Sequence, residues 1–267
     1  MSQAVAVRNT VFDTRPLVIH APQAADCPWW EILLAEVFAA ERRYTKPDDL
    51  VILTWNSGAA NADLAVRGHA LGWFERSLEH VGLPYHVLGA GIGSAWTNRM
   101  KLDLTIEFLE NTDAPFVFAA DSTDVALIGD PGEILRRFLS RESGIVFNGE
   151  KNCWPADFPD LQRWEEEVGQ PPFRYFNAGV WIGTREAGLA AYRTARSRAE
   201  ELGSYPTSDQ VCLKHAYREL YPAVVVDHRC EMFQNINRVR DEIEVRGRGL
   251  PSWSTRVWRR FRRRVGP

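Results

Sequence analysis

The stretch FVFAADSTDVAL, residues 116–127, places two carboxylates, Asp121 and Asp124, three positions apart where an apolar run stops. A strand ending in Asp-x-x-Asp brings both acids to the carboxyl edge of a sheet, where α/β proteins hold their ligands. Paired carboxylates there suit a hard divalent cation: Mg²⁺ and Mn²⁺ prefer oxygen ligands and leave positions for water and substrate phosphate. The same residues serve as caps of a following turn, where aspartate is favoured for backbone hydrogen bonding. Spacing alone does not choose between the two readings, and phosphatases and nucleotidyltransferases also use such pairs.

The elements that would position these acids follow an alternating pattern. Strand-like runs fall at PLVIH (16–20), LVILTW (50–55), YHVLG (85–89), FVFAA (116–120), GIVFN (144–148), GVWIG (179–183) and AVVVD (223–227). Most are uniformly apolar, as expected of central strands covered on both faces. Helical patterns lie between them at 29–43, 68–82, 97–110, 131–140, 184–202 and 207–220. In the second of these, Leu71, Phe74, Leu78 and Val81 recur at spacings of three and four, one face of a helix. The alternation predicts an α/β domain with a mixed, mostly parallel sheet and helices on both faces.

Polar groups cluster at the ends of these strands and the starts of these helices: FNGEKNCWP (147–155), YFNAGVWIG (175–183), SDQ (208–210) and VDHRCEMFQN (226–235). With VLGAG (87–91), the helix bearing Lys101 and AADSTDV, these segments resemble, in order, the glycosyltransferase domain of the procollagen lysyl hydroxylase/glycosyltransferase family. The resemblance covers about three quarters of the chain. It implies a GT-A type, Rossmann-like nucleotide-sugar transferase that moves a hexose, glucose or galactose, from a UDP-sugar to a hydroxyl acceptor with Mn²⁺, or Mg²⁺, as cofactor. Asp121 and Asp124 match its metal-binding aspartates, and Asp121 also faces the donor diphosphate. Lys101 offers a point charge for a phosphate, or is an ordinary surface-helix lysine. Thr54 ends the strand that meets the uridine. Glu150 and Trp154 match the family's glutamate-to-tryptophan loop beside the reacting sugars, where an aromatic face suits sugar C–H stacking. Asn177, Ala178 and Gly179 stand where the family has Asn-Ser-Gly, small residues that let the backbone approach a sugar phosphate. Asp209 and Gln210 match the end of an acidic stretch, although this chain has one aspartate where the family has a run. Asp209 and Glu150 are both candidate bases, and Asp209 is also a candidate helix cap.

The family completes its metal site with a histidine on a late strand, and no histidine follows Asn235 here. The N-terminal VRNTVFDTRPLVIHAPQ (7–23), however, resembles the family's C-terminal segment, including the Asp-Thr, the proline, the apolar triplet and the histidine. The resemblance thus implies a circular permutation in which residues 1–25 supply the last strand and His20 the third metal ligand. Ala21-Pro22-Gln23 departs from the family's Gly-Asn-Gly.

Residues 1–250 are accordingly expected to form one domain, followed by a basic amphipathic tail, 251–267. In TRVWRRFRRRVGP, Val257, Trp258, Phe261 and Val265 share one helical arc and six arginines cover the rest. Such a segment is a solvated end or a peripheral contact with anionic lipid. The net charge of −3 gives no global reason to expect nucleic acid. Four scattered cysteines without a CxxC pair argue against a disulfide framework or structural zinc. With no leader-like or membrane-spanning run, the expectation is a cytoplasmic protein. Two rivals share these motifs: a metal-dependent hydrolase of nucleotide diphosphates or nucleotide sugars, and a non-catalytic sugar-nucleotide-binding protein.

Overall fold

LVILTW is buried at all six positions, because alternate side chains enter two different cores. Leu50 and Ile52 pack with Phe74, Leu78 and Val81 on one side of the sheet; Val51, Leu53 and Trp55 pack with Leu102 and Leu109 on the other. A strand with no wet face is the signature of a sheet covered on both sides, and that is the architecture here. The computed structural model describes residues 6–22, 28–58, 71–199, 201–202, 208–239, 242–246 and 253–254. The arginine-rich tail from 255 onward lies outside them, as do residues 68–70 and 203–207 of the expected helix and acidic-stretch segments.

In chain order the elements are β1 (Ala6–Asn9), β2 (Val18–His20), α1 (Pro28–Ala39), β3 (Leu50–Trp55), α2 (Trp73–Val81), β4 (His86–Leu88), α3 (Met100–Asn111), β5 (Phe116–Asp121) and β6 (Val125–Leu127). They continue with α4 (Pro131–Leu139), β7 (Ile145–Glu150), α5 (Pro159–Val168), β8 (Tyr175–Thr184), α6 (Arg185–Arg198), α7 (Asp209–Leu220), β9 (Val224–Asp227), β10 (Phe233–Asn235), β11 (Ile243–Arg246) and β12 (Trp253–Ser254). The main sheet runs β4-β3-β5-β8-β7-β9. β3 is parallel to β4 and β5, and β7 to β9, while β8 runs against both neighbours. The expected mixed, mostly parallel sheet with helices on both faces is what the chain forms.

Two features shape the functional edge. Opposite β7 the register of β8 jumps, Phe147 facing Trp181 but Asn148 facing Asn177, so Ala178, Gly179 and Val180 bulge away from β7 at the sheet's end. Beside them a small second sheet, β10-β2-β6, inserts the N-terminal strand between two later ones: Asn235 pairs with His20 in parallel and Val125 pairs with it antiparallel. β1 pairs with β11, and Asn9 Nδ2 donates to Gln234 Oε1 at 2.9 Å.

The DHRCEMFQN segment owes its shape to Asp227. Its buried carboxylate accepts from the backbone N–H groups of Glu231, Met232 and Phe233 and from Arg141, folding the chain back from β9 into β10. Among the described residues no helix is long and apolar enough to cross a membrane.

Candidate active site

β5 ends at Asp121, and the turn Ser122-Thr123-Asp124 reverses the chain into β6. That turn is fastened from behind by the buried Glu75, whose carboxylate accepts from Ser122 Oγ, Asn56 Nδ2 and the Gly72 N–H. β2 lies against β6, so His20, far from Asp124 in sequence, arrives beside it with Nε2 3.5 Å from Asp124 Oδ2. One ligand atom each of His20, Asp121 and Asp124 lies within 4.8 Å of the others.

Lys101, in the first turn of α3, is buried against this cluster: Nζ is 2.5 Å from Asp121 Oδ1 and 3.5 Å from Asp209 Oδ2. Burial alone would lower the Lys101 pKa, but Asp121 and Asp209 outweigh it and raise it. Burial likewise opposes charge on His20, yet Asp124, Asp121 and Glu150 together raise its pKa. Burial raises the Asp121 carboxyl against the pull of Lys101. Asp124 goes the other way, His20 and Lys101 overcoming its burial. Three carboxylates thus share two cationic groups in a poorly solvated corner.

The residues fit a divalent cation. Asp124 Oδ1 is buried with no hydrogen-bond partner, an acceptor that asks for one. Gly179 provides the room: a Cβ there would press on His20 Cε1 and lie 2.8 Å from Asp121 Oδ2 and 2.9 Å from His20 Nε2. One imidazole with two carboxylates is a mixed nitrogen and oxygen set of the kind that holds divalent cations.

Two adjoining cavities open around Lys101, Asp121 and Asp124. One, about 250 Å³, is lined by His20, Trp154, Asn177, Ala178, Gly179, Asp209 and Gln210 among others. The second, about 180 Å³, is lined by Trp55, Asn56, Ser57, Trp96, Asn98 and Ser122 together with the shared residues. Gln210 ties the first together, donating to Glu150 Oε1 at 3.1 Å and to the Trp154 carbonyl at 3.2 Å. Asn177 Oδ1 accepts from the Gly179 N–H and steadies the bulge. Trp154 is 48% exposed, so its ring is not core.

Several sequence expectations are corrected by this geometry. Thr54 lines neither cavity; it is fully buried and its hydroxyl donates to the Ala120 carbonyl at 2.7 Å, because strand alternation turns it to the sheet face opposite Trp55. The polar end of β3 that does reach the cavity is Asn56-Ser57. Asp209 does not cap α7: Ser208 does, accepting from the Val211 N–H, and Asp209 is left to pair with Lys101. Lys101 is no surface lysine. Asn148, Asn98, Trp96 and Glu75 were not singled out; for Asn148 the signal was a polar residue ending a buried apolar strand.

Glu150, at the end of β7, is 3% exposed, and burial pushes its pKa up to about 7, against the opposing effect of its hydrogen bonds from Asn177 and Gln210. In the unfolded chain it titrates near 4.5. A group whose folded pKa is raised lends stability below its unfolded pKa and loses it as pH rises through the folded one. Glu150→Gln is therefore expected to match the parent in thermal stability at pH 4 and to exceed it by up to about 3 kcal/mol at pH 8, in chelator. Parallel stability curves across that range would refute the assignment.

Three side chains that could hold a metal ion thus stand at the carboxyl edge of a mixed α/β sheet, beside a buried lysine and an exposed tryptophan. Residues 65–256 match the family model described as the PLOD GT domain, and the chain belongs to that family of glycosyltransferase domains. Thr54 and His20 precede the matched region. An uncharacterized mimivirus protein, R699 of Acanthamoeba polyphaga mimivirus, is 24% identical over 208 residues, 74% of this chain and 42% of that protein. Human multifunctional procollagen lysine hydroxylase and glycosyltransferase LH3 is 29% identical over 143 residues, 51% of this chain and 18% of that protein. Mouse procollagen-lysine,2-oxoglutarate 5-dioxygenase 1 is 27% identical over 191 residues, 64% and 24% respectively. The chain thus spans less than half the length of each of these relatives. The crystal structure of mouse xyloside xylosyltransferase 1 in its apo form overlaps 82% of this chain and 83% of its own with 15% identity and a TM-score of 0.39.

Proposed function

We propose that this glycosyltransferase domain moves a hexose from a UDP-sugar to a hydroxyl acceptor, with Mn²⁺ held by Asp121, Asp124 and His20. The observation that carries this reading is the convergence of those three side chains, from three separate strands or turns, beside the buried Lys101. A bound divalent cation would offset the negative charge that accumulates on the departing diphosphate.

The chain's own groups divide the remaining work. Lys101, held by Asp121 and Asp209 in the free protein, is placed to exchange a carboxylate for a donor phosphate. The cavity reaching Asn56 and Ser57 has the polar lining for a nucleoside, and the one reaching Gln210 and Trp154 faces the sugars. For deprotonating the acceptor hydroxyl there are two carboxylates: Asp209, which lines the cavity facing the sugars, and Glu150, buried behind it and bonded to Gln210. The insertion of β2 between β10 and β6 supports the circular permutation, the N-terminal strand standing in for the family's last one.

The test is a panel of UDP-sugars with Mn²⁺, with and without hydroxyl acceptors. UDP release stimulated by an acceptor, abolished by chelator and reduced at least about 100-fold in Asp121→Asn, is the expected result. Acceptor-independent diphosphate cleavage would make the chain a hydrolase, and donor binding without turnover a carrier; either overturns the proposal.

A further inference from the structure

The two nitrogens of the His20 ring face different surroundings. Nε2 points into the carboxylate cluster, 3.5 Å from Asp124 Oδ2, while Nδ1 is 3.3 Å from Asn148 Nδ2. We propose that Asn148 is a positioning residue for the metal site: its side-chain carbonyl accepts the Nδ1 proton of His20, which leaves the Nε2 lone pair free for the cation. This rests on the metal-dependent reading given above and deepens it.

A histidine that ligates through Nε2 must keep its proton on Nδ1, so that nitrogen needs an acceptor. Asn148 is the side chain that meets it. The two ends of a carboxamide are nearly the same size, so its orientation is decided by the hydrogen bonds it makes. With Nδ2 toward the ring, Asn148 Oδ1 is buried and without a donor. A half-turn of the amide presents that oxygen to Nδ1–H.

The backbone explains how the asparagine comes to be there. Ile145, Val146 and Phe147 fill the two cores, and Asn148 is the first polar residue of β7, fully buried. A buried amide without partners is costly, so its presence calls for one. The register jump of β8 falls between Phe147 and Asn148, and bulges of this kind re-aim side chains beside active sites. β10, which pairs with β2 and hence with His20, packs against β7.

The experiment compares Mn²⁺ affinity, by electron paramagnetic resonance on the full chain, for the parent, Asn148→Leu, Asn148→Asp and His20→Ala. Asn148→Leu should weaken binding about 10-fold to 100-fold, whereas Asn148→Asp, an acceptor only, should bind within about threefold of the parent or more tightly. A merely structural asparagine would give the opposite order, since a buried carboxylate disturbs packing more than a leucine of similar size. Unchanged affinity in Asn148→Leu overturns the inference. Should that variant not fold, ¹⁵N NMR of the Cd²⁺-loaded parent decides: a proton on Nδ1 with Nε2 on the metal supports the assignment, and a proton on Nε2 overturns it. His20→Ala separates the two levels. If it binds Mn²⁺ as the parent does, the metal-site reading itself fails; if it loses Mn²⁺ while Asn148→Leu keeps it, only the role of Asn148 fails.

Discussion

Gly179→Ala is expected to leave a folded protein that has lost its divalent cation, with Mn²⁺ affinity down at least about 100-fold and transfer undetectable. The fold should tolerate the change. Gly179 lies in an extended strand whose backbone any residue adopts, and β8 keeps its pairing with β5 on one side and, outside the bulge, with β7 on the other. The ligand set should not tolerate it. The new methyl would press on His20 Cε1 and come within 2.8 Å of Asp121 Oδ2 and 2.9 Å of His20 Nε2, so the imidazole and the carboxylate must be pushed apart. Neither has room to yield, His20 being enclosed between β10 and β6 and Asp121 held by Lys101. The overpacking itself should cost about 1–3 kcal/mol of stability, too little to unfold the chain. Calorimetric Mn²⁺ titration beside a thermal melt checks both halves. An alanine variant that binds Mn²⁺ within about threefold of the parent would show that the cation does not sit between these two groups.

Much of this site was legible in the sequence, and the parts that were not share a physical cause. LVILTW, FVFAA and AVVVD could be read because a strand buried on both faces leaves a continuous apolar run, and the structure returns them nearly residue for residue. β8 is longer than the run GVWIG: Tyr175–Ala178 also belong to the strand, and Ala178-Gly179 lie in its bulge at the site. β1, β6 and β10 have three or four residues each, too few to show a period, and exist because partners elsewhere in the chain fix their register. The helix Pro159–Val168 has a narrow apolar stripe, Leu161, Trp164 and Val168, and only Leu161 and Glu165 are fully buried. The Asp-x-x-Asp pair could be found because two carboxylates closing an apolar run carry obvious chemistry, and the histidine because the segment around it resembles the family's last strand. Glu75 could not, because a helix glutamate acquires meaning only from the groups across the fold that it bonds.

Glu165 makes the last prediction, because the chain buries it completely together with a cation. Lys214 Nζ lies 2.9 Å from Glu165 Oε2, with side chains 1% and 0% exposed, and it also donates to the Trp154 carbonyl and to Cys153 Sγ. Glu165 Oε1 accepts from the Phe176 N–H, so the pair links α5, α7, β8 and the loop that presents Trp154. Lys214→Met removes the positive partner and leaves a carboxylate that burial already drives toward its neutral form. Breaking a buried pair on one side costs about 3–5 kcal/mol, whereas replacing both partners by apolar groups is often close to neutral. Lys214→Met should therefore lower the melting temperature by roughly 10 °C, and Lys214→Met with Glu165→Leu should recover much of that loss, short of the hydrogen bond to Phe176 N–H. Activity should separate from stability in this series: with no ammonium on the Trp154 carbonyl, the double variant should stay impaired toward acceptor while keeping Mn²⁺ and donor affinity. Stability losses that simply add in the double variant would mean that the two charges do not depend on each other. A double variant with the parent's acceptor KM would mean that Gln210, the other donor to that carbonyl, holds the tryptophan loop by itself.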